Sequence, residues 1–296
     1  MRSIIAILLL SSLFATAENF PNKEESQLIK SLLGKLADKA PNVKEYKKGK
    51  HRLFKELEVK EIIWKDAAFT VDIKSGNVIG LELHGGNLPN DKLALLAGLK
   101  KVKAIAFGHW GNWHNKKIPV KEFDGSGLAA FSDHNLEHVH AGGSMFSVPG
   151  FDIAAKIKSL KSMKIHHVNI PEEKLKMLIG HPNLNSLELS TTCRPLYGNS
   201  TLKILVQIPK LEQLSLHEFY LTYKDGLEHL LPLKKQLKSI FCRDSIILQE
   251  DIDMLKKNFP DTKFTLHRFK SIEKGHPRNF KKFVPEEVIS KFLKES

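Results

Sequence analysis

The amino-acid sequence predicts an α/β solenoid, a stack of repeats in which short parallel strands alternate with helices. Two periodic patterns support this prediction. A stretch with the spacing apolar-x-x-apolar-x-apolar recurs between residues 75 and 269. A segment with apolar residues three or four positions apart follows each stretch, and this spacing places those residues on one face of a helix. Proline ends several of these segments, where a helix cannot continue.

The recurring stretches predict about eight strands, each with a central apolar residue in the core. These central residues are Leu81, Ile105, Val139, Val168, Leu187, Leu214, Ile240 and Phe264. The steps between them are 24, 34, 29, 19, 27, 26 and 24 residues. We interpret the uneven steps as insertions in loops on one face.

A single strand–helix unit is too small to bury its own apolar face, but stacked units share a continuous core. Segments such as HPNLNSLEL at 181–189 and IPKLEQLSL at 208–216 carry the pattern most clearly. They resemble the leucine-rich-repeat family, in its helix-bearing, ribonuclease-inhibitor-like form. The resemblance implies a horseshoe with a concave parallel sheet and convex helices, capped at both ends.

The N-terminal segment predicts export. Arg2 precedes the apolar run 4–10, and Ala15-Thr16-Ala17 forms a small-x-small cleavage site. This pattern is typical of a secretory signal peptide over residues 1–17 and is too short for a membrane span. We therefore expect a secreted or periplasmic protein without a membrane span, and with its signal peptide the chain resembles exported bacterial members of the family.

The remaining chain divides into three predicted segments. Residues 18–74 form an N-terminal helix and capping segment, with a helix over 24–40, a linker over 41–52 and a strand hairpin from 57–59 and 69–73. Residues 75–269 form the repeat domain. Residues 270–296 form a basic tail with a short helix over 285–294.

Composition and motifs favour binding over catalysis. The net charge of +13 favours acidic partners, although solubility alone also explains it. The sequence has no nucleophile elbow, no His-Glu-x-x-His, no phosphate-binding glycine loop and no paired cysteines for zinc. We therefore predict no catalytic residues and no cofactor, and we expect no nucleic acid partner.

Residues between the core positions of a strand face the concave side, because strand side chains alternate. The candidate ligand-binding residues on this face are His138, His140, His167, Asn169, Glu188, Ser215, His217 and Arg243. His138, His140 and His167 fall on neighbouring rungs, where imidazoles suit zinc or copper, and Glu188 could join them. The alternative is a polar face with solvated histidines.

The segment 108–117 contains Trp110 and Trp113 among glycine, asparagine, histidine and lysine, and it accounts for the longest repeat step. Tryptophan anchors are common at binding hot spots and stack on sugar rings. The two residues therefore predict a binding loop beside the concave face. Alternatively, one or both fold back over the neighbouring repeat.

The leading hypothesis is an exported, non-enzymatic binding or scaffold protein for an unknown protein or glycan, recognised through the concave face and the Trp110–Trp113 loop. One alternative is a metal-binding protein or metal-dependent enzyme that uses the concave histidines. A second alternative is a structural cell-envelope protein held by its basic surface.

The two cysteines are predicted to remain unpaired. Cys242 stands at a core position of its repeat, and Cys193 follows a strand two rungs earlier. Two rungs are ~9.5 Å apart, whereas disulfide-bonded Cα atoms lie within ~7 Å. Thiol titration of the denatured, unreduced monomer should therefore find two free thiols. Finding none would show that the assigned repeat register is wrong.

Overall fold

A computed structural model describes residues 22–33, 41–64, 67–84, 89–108, 123–143, 145–190, 197–267 and 280–295. The chain divides into two compact units, Met1–His138 and Val139–Ser296. The predicted fold class is confirmed: strands and helices alternate, and the strands are ordered in the mostly parallel sheet as they are in the chain. The predicted signal peptide, Trp110, Trp113 and Cys193 lie outside the described residues.

The first unit begins with an amphipathic helix and antiparallel strands. Its elements are α1 (Lys23–Leu33), β1 (Asn42–Tyr46), β2 (Val59–Ile63), β3 (Ala67–Asp72), β4 (Val78–His84), α2 (Asn90–Leu95) with a 3-10 turn (Leu96–Gly98), β5 (Ala104–Gly108) and a 3-10 helix (Ser126–Phe131). Strands β1 to β4 pair antiparallel, and β4 pairs parallel with β5. Parallel pairing thus begins at the first predicted repeat stretch.

The strand hairpin predicted in the N-terminal segment is present with changed boundaries. The hairpin uses 59–63 and 67–72 rather than 57–59 and 69–73. The prediction of a linker over 41–52 is wrong for its first half, which forms β1. This strand pairs with β2, and Tyr46 Oη donates to Glu61 Oε2 at 2.8 Å. The lysine-rich composition concealed the strand, because an edge strand keeps many side chains exposed.

The second unit is built from repeats. Its elements are β6 (His138–Gly142), α3 (Val148–Ala154), β7 (Ser162–His166), a 3-10 helix (Glu172–Leu178), β8 (Ser186–Ser190), α4 (Asn199–Leu205), β9 (Gln213–His217), a 3-10 helix (Leu227–Leu233), β10 (Ser239–Arg243), α5 (Gln249–Asn258), β11 (Lys263–His267), a 3-10 turn (Phe280–Lys282) and α6 (Glu286–Lys294). Strands β7 to β11 pair parallel in chain order.

Helices of the second unit alternate between α and 3-10 geometry. The 3-10 helix at 172–178 buries Leu175 and Leu178, and the one at 227–233 buries Leu227, Leu230 and Leu233. A 3-10 helix has three residues per turn, so residues three apart lie on one line. A strict three-residue spacing of leucines therefore fits 3-10 geometry. The sequence prediction did not separate the two helix types.

The predicted register of one strand is wrong. Residues 165, 168 and 170 were expected to form the fourth repeat strand, but β7 is Ser162–His166. Met163 pairs with Leu187, and Ile165 pairs with Leu189. With Met163 as its central residue, the steps of 29 and 19 residues become 24 and 24. Val168 and Ile170 are still buried, but they lie beyond the end of the strand.

Backbone hydrogen bonds fix this register at the start of each strand. The carbonyl of Lys161, just before β7, accepts from two amides of the next rung, those of Asn185 and Ser186. The Asn185 carbonyl accepts from Glu212 and Gln213 in the same way. Each rung therefore aligns the next one, and the apolar residues of successive strands stack in the core.

The C-terminal helix α6 covers the last repeat, and the short helix predicted over 285–294 is present. Ile289 and Phe292 of this helix belong to one apolar cluster with Ile246 and Leu248. Polar contacts flank the cluster, since Gln249 N donates to Glu295 Oε2 at 2.8 Å. The helix thereby shields an end of the repeat core from water.

The predicted burial of Cys242 is confirmed, because this residue is fully buried as a free thiol on β10. Burial raises the pKa of its thiol to about 12. Among the described residues, no helix is long and apolar enough to cross a membrane.

Replacing Leu214 by alanine should lower the free energy of unfolding by ~2–5 kcal/mol, because it removes buried methyl groups and leaves a cavity. Leu214 is 1% exposed and pairs with Leu187 and Ile240 on the neighbouring strands. The measurement is urea denaturation followed by circular dichroism. Met254→Ala on α5 is the matched control, since Met254 is 43% exposed and its truncation should cost less than about 0.5 kcal/mol. Equal effects of the two substitutions would contradict the stacked core.

Candidate functional site

The sheet of the second unit has one face that does not join the repeat core, here called the open face. Its side chains alternate with the buried leucines of β7 to β10. It consists of Ser162, Lys164, His166, Ser186, Glu188, Ser190, Gln213, Ser215, His217, Ser239, Phe241 and Arg243. This face corresponds to the one predicted to be concave, and its polar and aromatic composition is suited to contact with a ligand.

The open face is unusually buried where three strands end. His166, Ser190 and His217 are the last residues of β7, β8 and β9, and all three are buried. His217 pairs in register with Ser190 on one side and with Arg243 on the other. Two imidazoles therefore flank a small serine side chain on the middle strand.

Glu188 lies between the two histidines. Its Oε1 is 3.2 Å from His166 Nδ1 and 3.8 Å from His217 Nε2. Lys164 Nζ lies 2.8 Å from the same oxygen. Glu188 is two residues before Ser190 on β8, so its side chain points to the same face and reaches the histidines from the neighbouring rungs.

The charges of these groups follow from their surroundings. Burial alone raises the pKa of Glu188, but the hydrogen bond from His166 and the ammonium group of Lys164 outweigh it and hold that pKa at about 2. Burial lowers the pKa of His217 to about 4, despite the opposing effect of Glu188. Burial also lowers the pKa of His166. Near neutral pH the carboxylate is therefore ionised, and both buried imidazoles are uncharged.

A second His–Glu pair adjoins the first. His167 Nε2 lies 2.8 Å from Glu218 Oε1, and the Glu218 side chain is 2% exposed. The rings of His166 and His167 are 4.0 Å apart. We call the five residues His166, His167, Glu188, His217 and Glu218 the His–Glu cluster. It joins the ends of three rungs on one side of the sheet.

The turns after four strands share an uncommon backbone conformation, and two of these turns carry cluster residues. Gly143, His167, Glu218 and Asp244 directly follow β6, β7, β9 and β10, and each has a positive φ between 52° and 67°. Left-handed backbone costs roughly 1–2 kcal/mol for a residue with a Cβ. At His167 and Glu218 the fold tolerates this cost, and the two side chains bond to each other.

Aromatic contacts extend the cluster toward β11. The His217 ring stands edge-on to those of His166 and Phe241, with centroids 5.2 Å and 5.6 Å apart. Phe241 contacts His267 in turn, at 5.1 Å. The half-exposed Phe241 ring lies in register with Ser215 and offers apolar area within a polar surface.

The three histidines that the sequence placed around a metal do not come together. The His138 ring contacts Phe54 edge-on, with centroids 6.3 Å apart. His140 Nε2 lies 3.0 Å from Ser162 Oγ. His167 pairs with Glu218. This expectation is wrong because the predicted strand was displaced from the observed β7. The prediction therefore placed His167 on the strand, where the structure has His166.

The other predicted site residues have separate positions. Asn169 is exposed but lies three residues beyond β7, so its expected place on the strand is wrong for the same reason. Glu188, Ser215 and His217 occupy the open face as predicted. Arg243 is half-buried there, with its Nε 3.6 Å from Asp244 Oδ2. A ligand-binding role for these residues stays a prediction.

Sequence reasoning missed His166, Lys164 and Glu218. The signal for the first two was present, because even repeat steps of 24 residues select Met163 as the central residue and place Lys164 and His166 on the open face. Glu218 gave no such signal. Its contact with His167 spans 51 residues and depends on two left-handed turns.

Some of the abundant histidines have a structural role. The backbone amide of Leu184 donates to His181 Nδ1 at 3.0 Å, so Nε2 carries the proton and donates to the Ile157 carbonyl at 3.0 Å. His134 Nε2 contacts the Leu99 carbonyl at 3.2 Å in a similar manner. These residues tie one repeat to the preceding one and account for part of the histidine content.

Comparison with known proteins supports no family assignment by sequence. No family model matches the chain, and no curated protein does so. Among solved structures, the chain is similar to internalin C2 from Listeria monocytogenes, with 13% sequence identity and a TM-score of 0.40. The similarity covers 68% of this chain and 77% of the other.

Replacing His167 by glycine or by alanine tests the turn geometry. Both substitutions remove the imidazole that bonds Glu218, but only glycine adopts a φ of 55° without strain. His167→Gly should therefore be more stable than His167→Ala by about 1 kcal/mol. The measurement is the free energy of unfolding in urea. Glycine is normally the less stable of the two by roughly 0.5–1 kcal/mol in regular structure, so a more stable alanine variant would contradict the left-handed turn.

Proposed function

We propose that this chain is an exported, non-enzymatic binding module that recognises a protein or glycan through the open face of its repeat sheet. The observation that carries the proposal is the composition of this face where β7 to β10 end. Imidazole, carboxylate, guanidinium, hydroxyl and phenyl groups stand there at a fixed pitch set by the strands. Such a surface offers a large polar ligand many simultaneous contacts.

The open face of the second unit can supply part of the interface with a macromolecular ligand. Neighbouring strands lie ≈ 4.8 Å apart, so the four strands β7 to β10 span roughly 15 Å across the rungs. Conventional interfaces bury about 800 Å² per partner, so a ligand has to extend beyond the His–Glu cluster. The exposed parts of Lys164, Phe241 and Arg243 are available for this contact.

The remaining parts of the proposal come from the sequence. Residues 1–17 have the features of a secretory signal peptide, which supports a secreted or periplasmic location. The mature chain keeps a net charge of +12 after loss of Arg2, which favours an acidic ligand. Trp110 and Trp113 supply a binding loop, and the repeats belong to the helix-bearing, ribonuclease-inhibitor-like type of leucine-rich repeat.

Photocrosslinking tests the proposed surface directly. A photoreactive benzoylphenylalanine replaces Phe241 or Ser215 on the open face, and in the control it replaces the exposed Met254 on helix α5. The mature chain is incubated with its native culture medium and envelope fraction, and in parallel with a glycan array. Adducts should form from the open-face positions and not from Met254. Adducts from Met254 alone, or a complete lack of adducts and bound glycans, would contradict the proposal.

Alanine substitutions then show which residues contribute to the affinity for the captured ligand. Trp110→Ala and His140→Ala should each weaken binding by about tenfold or more, which is typical for truncation of an interface hot spot. Lys256→Ala on helix α5 should leave the affinity unchanged, because Lys256 is exposed on the opposite side of the repeats. The dissociation constant is measured by surface plasmon resonance. An effect of the helix substitution alone would place the binding surface elsewhere.

A further inference from the structure

We propose that His166, Glu188 and His217 form a binding site for a divalent transition-metal cation of the zinc type. The cation is coordinated by one nitrogen from each imidazole and one oxygen from the carboxylate. One ligand atom from each residue lies within 4.8 Å of the other two. Within the part of the chain that the structure describes, this is the only group of three histidine, cysteine, aspartate or glutamate side chains with that proximity. The proposal stands independently of the binding function above.

Two of the three separations between ligand atoms are close to what coordination needs, and the third, between the two histidines, is within 4.8 Å. Zinc lies 2.0–2.2 Å from nitrogen and oxygen ligands, so two ligand atoms of a tetrahedral site are about 3.3 Å apart. His166 Nδ1 and Glu188 Oε1 already lie 3.2 Å apart. His217 Nε2 is 3.8 Å from the same oxygen and has to approach by roughly 0.5 Å. A small rotation of the ring supplies such a movement.

His217 gives independent evidence for a ligand. Its side chain is 5% exposed, and neither Nδ1 nor Nε2 has a hydrogen-bond partner. A buried polar group without a partner costs roughly 1–3 kcal/mol, so a fold rarely retains one without compensation. Its Nε2 faces the Glu188 carboxylate, beside the small Ser190. A bound cation would satisfy this nitrogen and neutralise the carboxylate at the same time.

The donor set selects the class of metal. Two neutral imidazoles and one carboxylate suit zinc and its neighbours in the first transition row, whereas calcium and magnesium require mostly oxygen ligands. Burial keeps both histidines uncharged, so each imidazole has one nitrogen lone pair. His166 offers its lone pair at Nδ1 when its proton moves from Nδ1 to Nε2 as the cation replaces the hydrogen bond to Glu188. Three protein ligands leave at least one coordination position open to water or to a group on another molecule.

Lys164 competes with the cation for Glu188. Its Nζ lies 2.8 Å from Oε1, and its side chain is 35% exposed, so the ammonium group can move into water when a metal binds. Half-exposed ion pairs contribute little, and removing the lysine should therefore tighten metal binding by only about two- to fivefold. The proposal therefore predicts that Lys164→Met increases the affinity for the metal, a result that a damaged fold would not produce.

Calorimetric titration of the metal-free, untagged mature chain with Zn²⁺ tests the site. Wild type should bind one Zn²⁺ per chain at the site, and Co²⁺ in its place should give visible absorption bands typical of low coordination number. His217→Ala should weaken binding by at least roughly tenfold and abolish the Co²⁺ bands. His229→Ala is the matched control, since His229 lies on a helix and contacts the Asp225 carbonyl. It should titrate like wild type.

Two outcomes overturn the proposal. Either wild type binds no Zn²⁺, or His217→Ala and wild type bind it equally, in which case the ring only packs against His166 and Phe241. Circular dichroism checks that His217→Ala folds. If it does not, Lys164→Met decides the question: tighter binding than wild type supports the site, and unchanged or weaker binding overturns it.

Discussion

Stacking of the repeat leucines is the interaction on which the rest of the structure depends. Leu187, Leu214 and Ile240 pair in register on successive strands, and each is almost completely buried. No single repeat has enough apolar area to pay for the ordering of its own backbone, so each one is stable only against its neighbours. The carbonyls before the strands accept hydrogen bonds that fix the alignment of neighbouring strands. Because side chains alternate along a strand, every second residue then lies on the open face.

The same register assembles the His–Glu cluster from residues that are far apart in sequence. His166 and His217 occupy equivalent final positions on β7 and β9, and Glu188 reaches between them from β8. Left-handed residues after the strands then place a second His–Glu pair beside the first. The strained backbone after β7, β9 and β10 is tolerated because the packed repeat core holds the chain on either side of each turn.

The fold could be predicted from the sequence because stacked repeats require two strong periodicities. One is the spacing of apolar residues in the strands, and the other is their spacing in the helical segments. It failed at β7 because two overlapping stretches fit the same pattern. Leu160, Met163 and Ile165 form one, and Ile165, Val168 and Ile170 form the other. The apolar residues of the second stretch, which was predicted to be the strand, are all β-branched, and such residues are common in strands. The even spacing of the flanking strands favours the stretch centred on Met163, because each repeat adds about the same length of chain. That five-residue error moved His166 off the site and put Asn169 on it.

The linker prediction over 41–52 failed for a different reason, since β1 keeps most of its side chains exposed and lacks a buried alternation. The pairing of His167 with Glu218 was beyond prediction, because it depends on backbone angles that histidine and glutamate seldom adopt. Local composition thus identifies the core of a repeat protein well. Contacts between turns depend on how neighbouring strands are aligned. In a single sequence, the only indication of that alignment is the spacing of the repeats along the chain.

Helix α6 has a consequence for the dynamics of the repeats. In a linear array an internal repeat has two neighbours, whereas a terminal repeat has one, so opening starts at the ends and proceeds inward. Ile289 and Phe292 give the last repeats a second apolar neighbour through Ile246 and Leu248. The helix therefore acts against fraying, and amide protons of β10 and β11 owe part of their protection from solvent exchange to residues roughly 20 to 50 positions further along the chain.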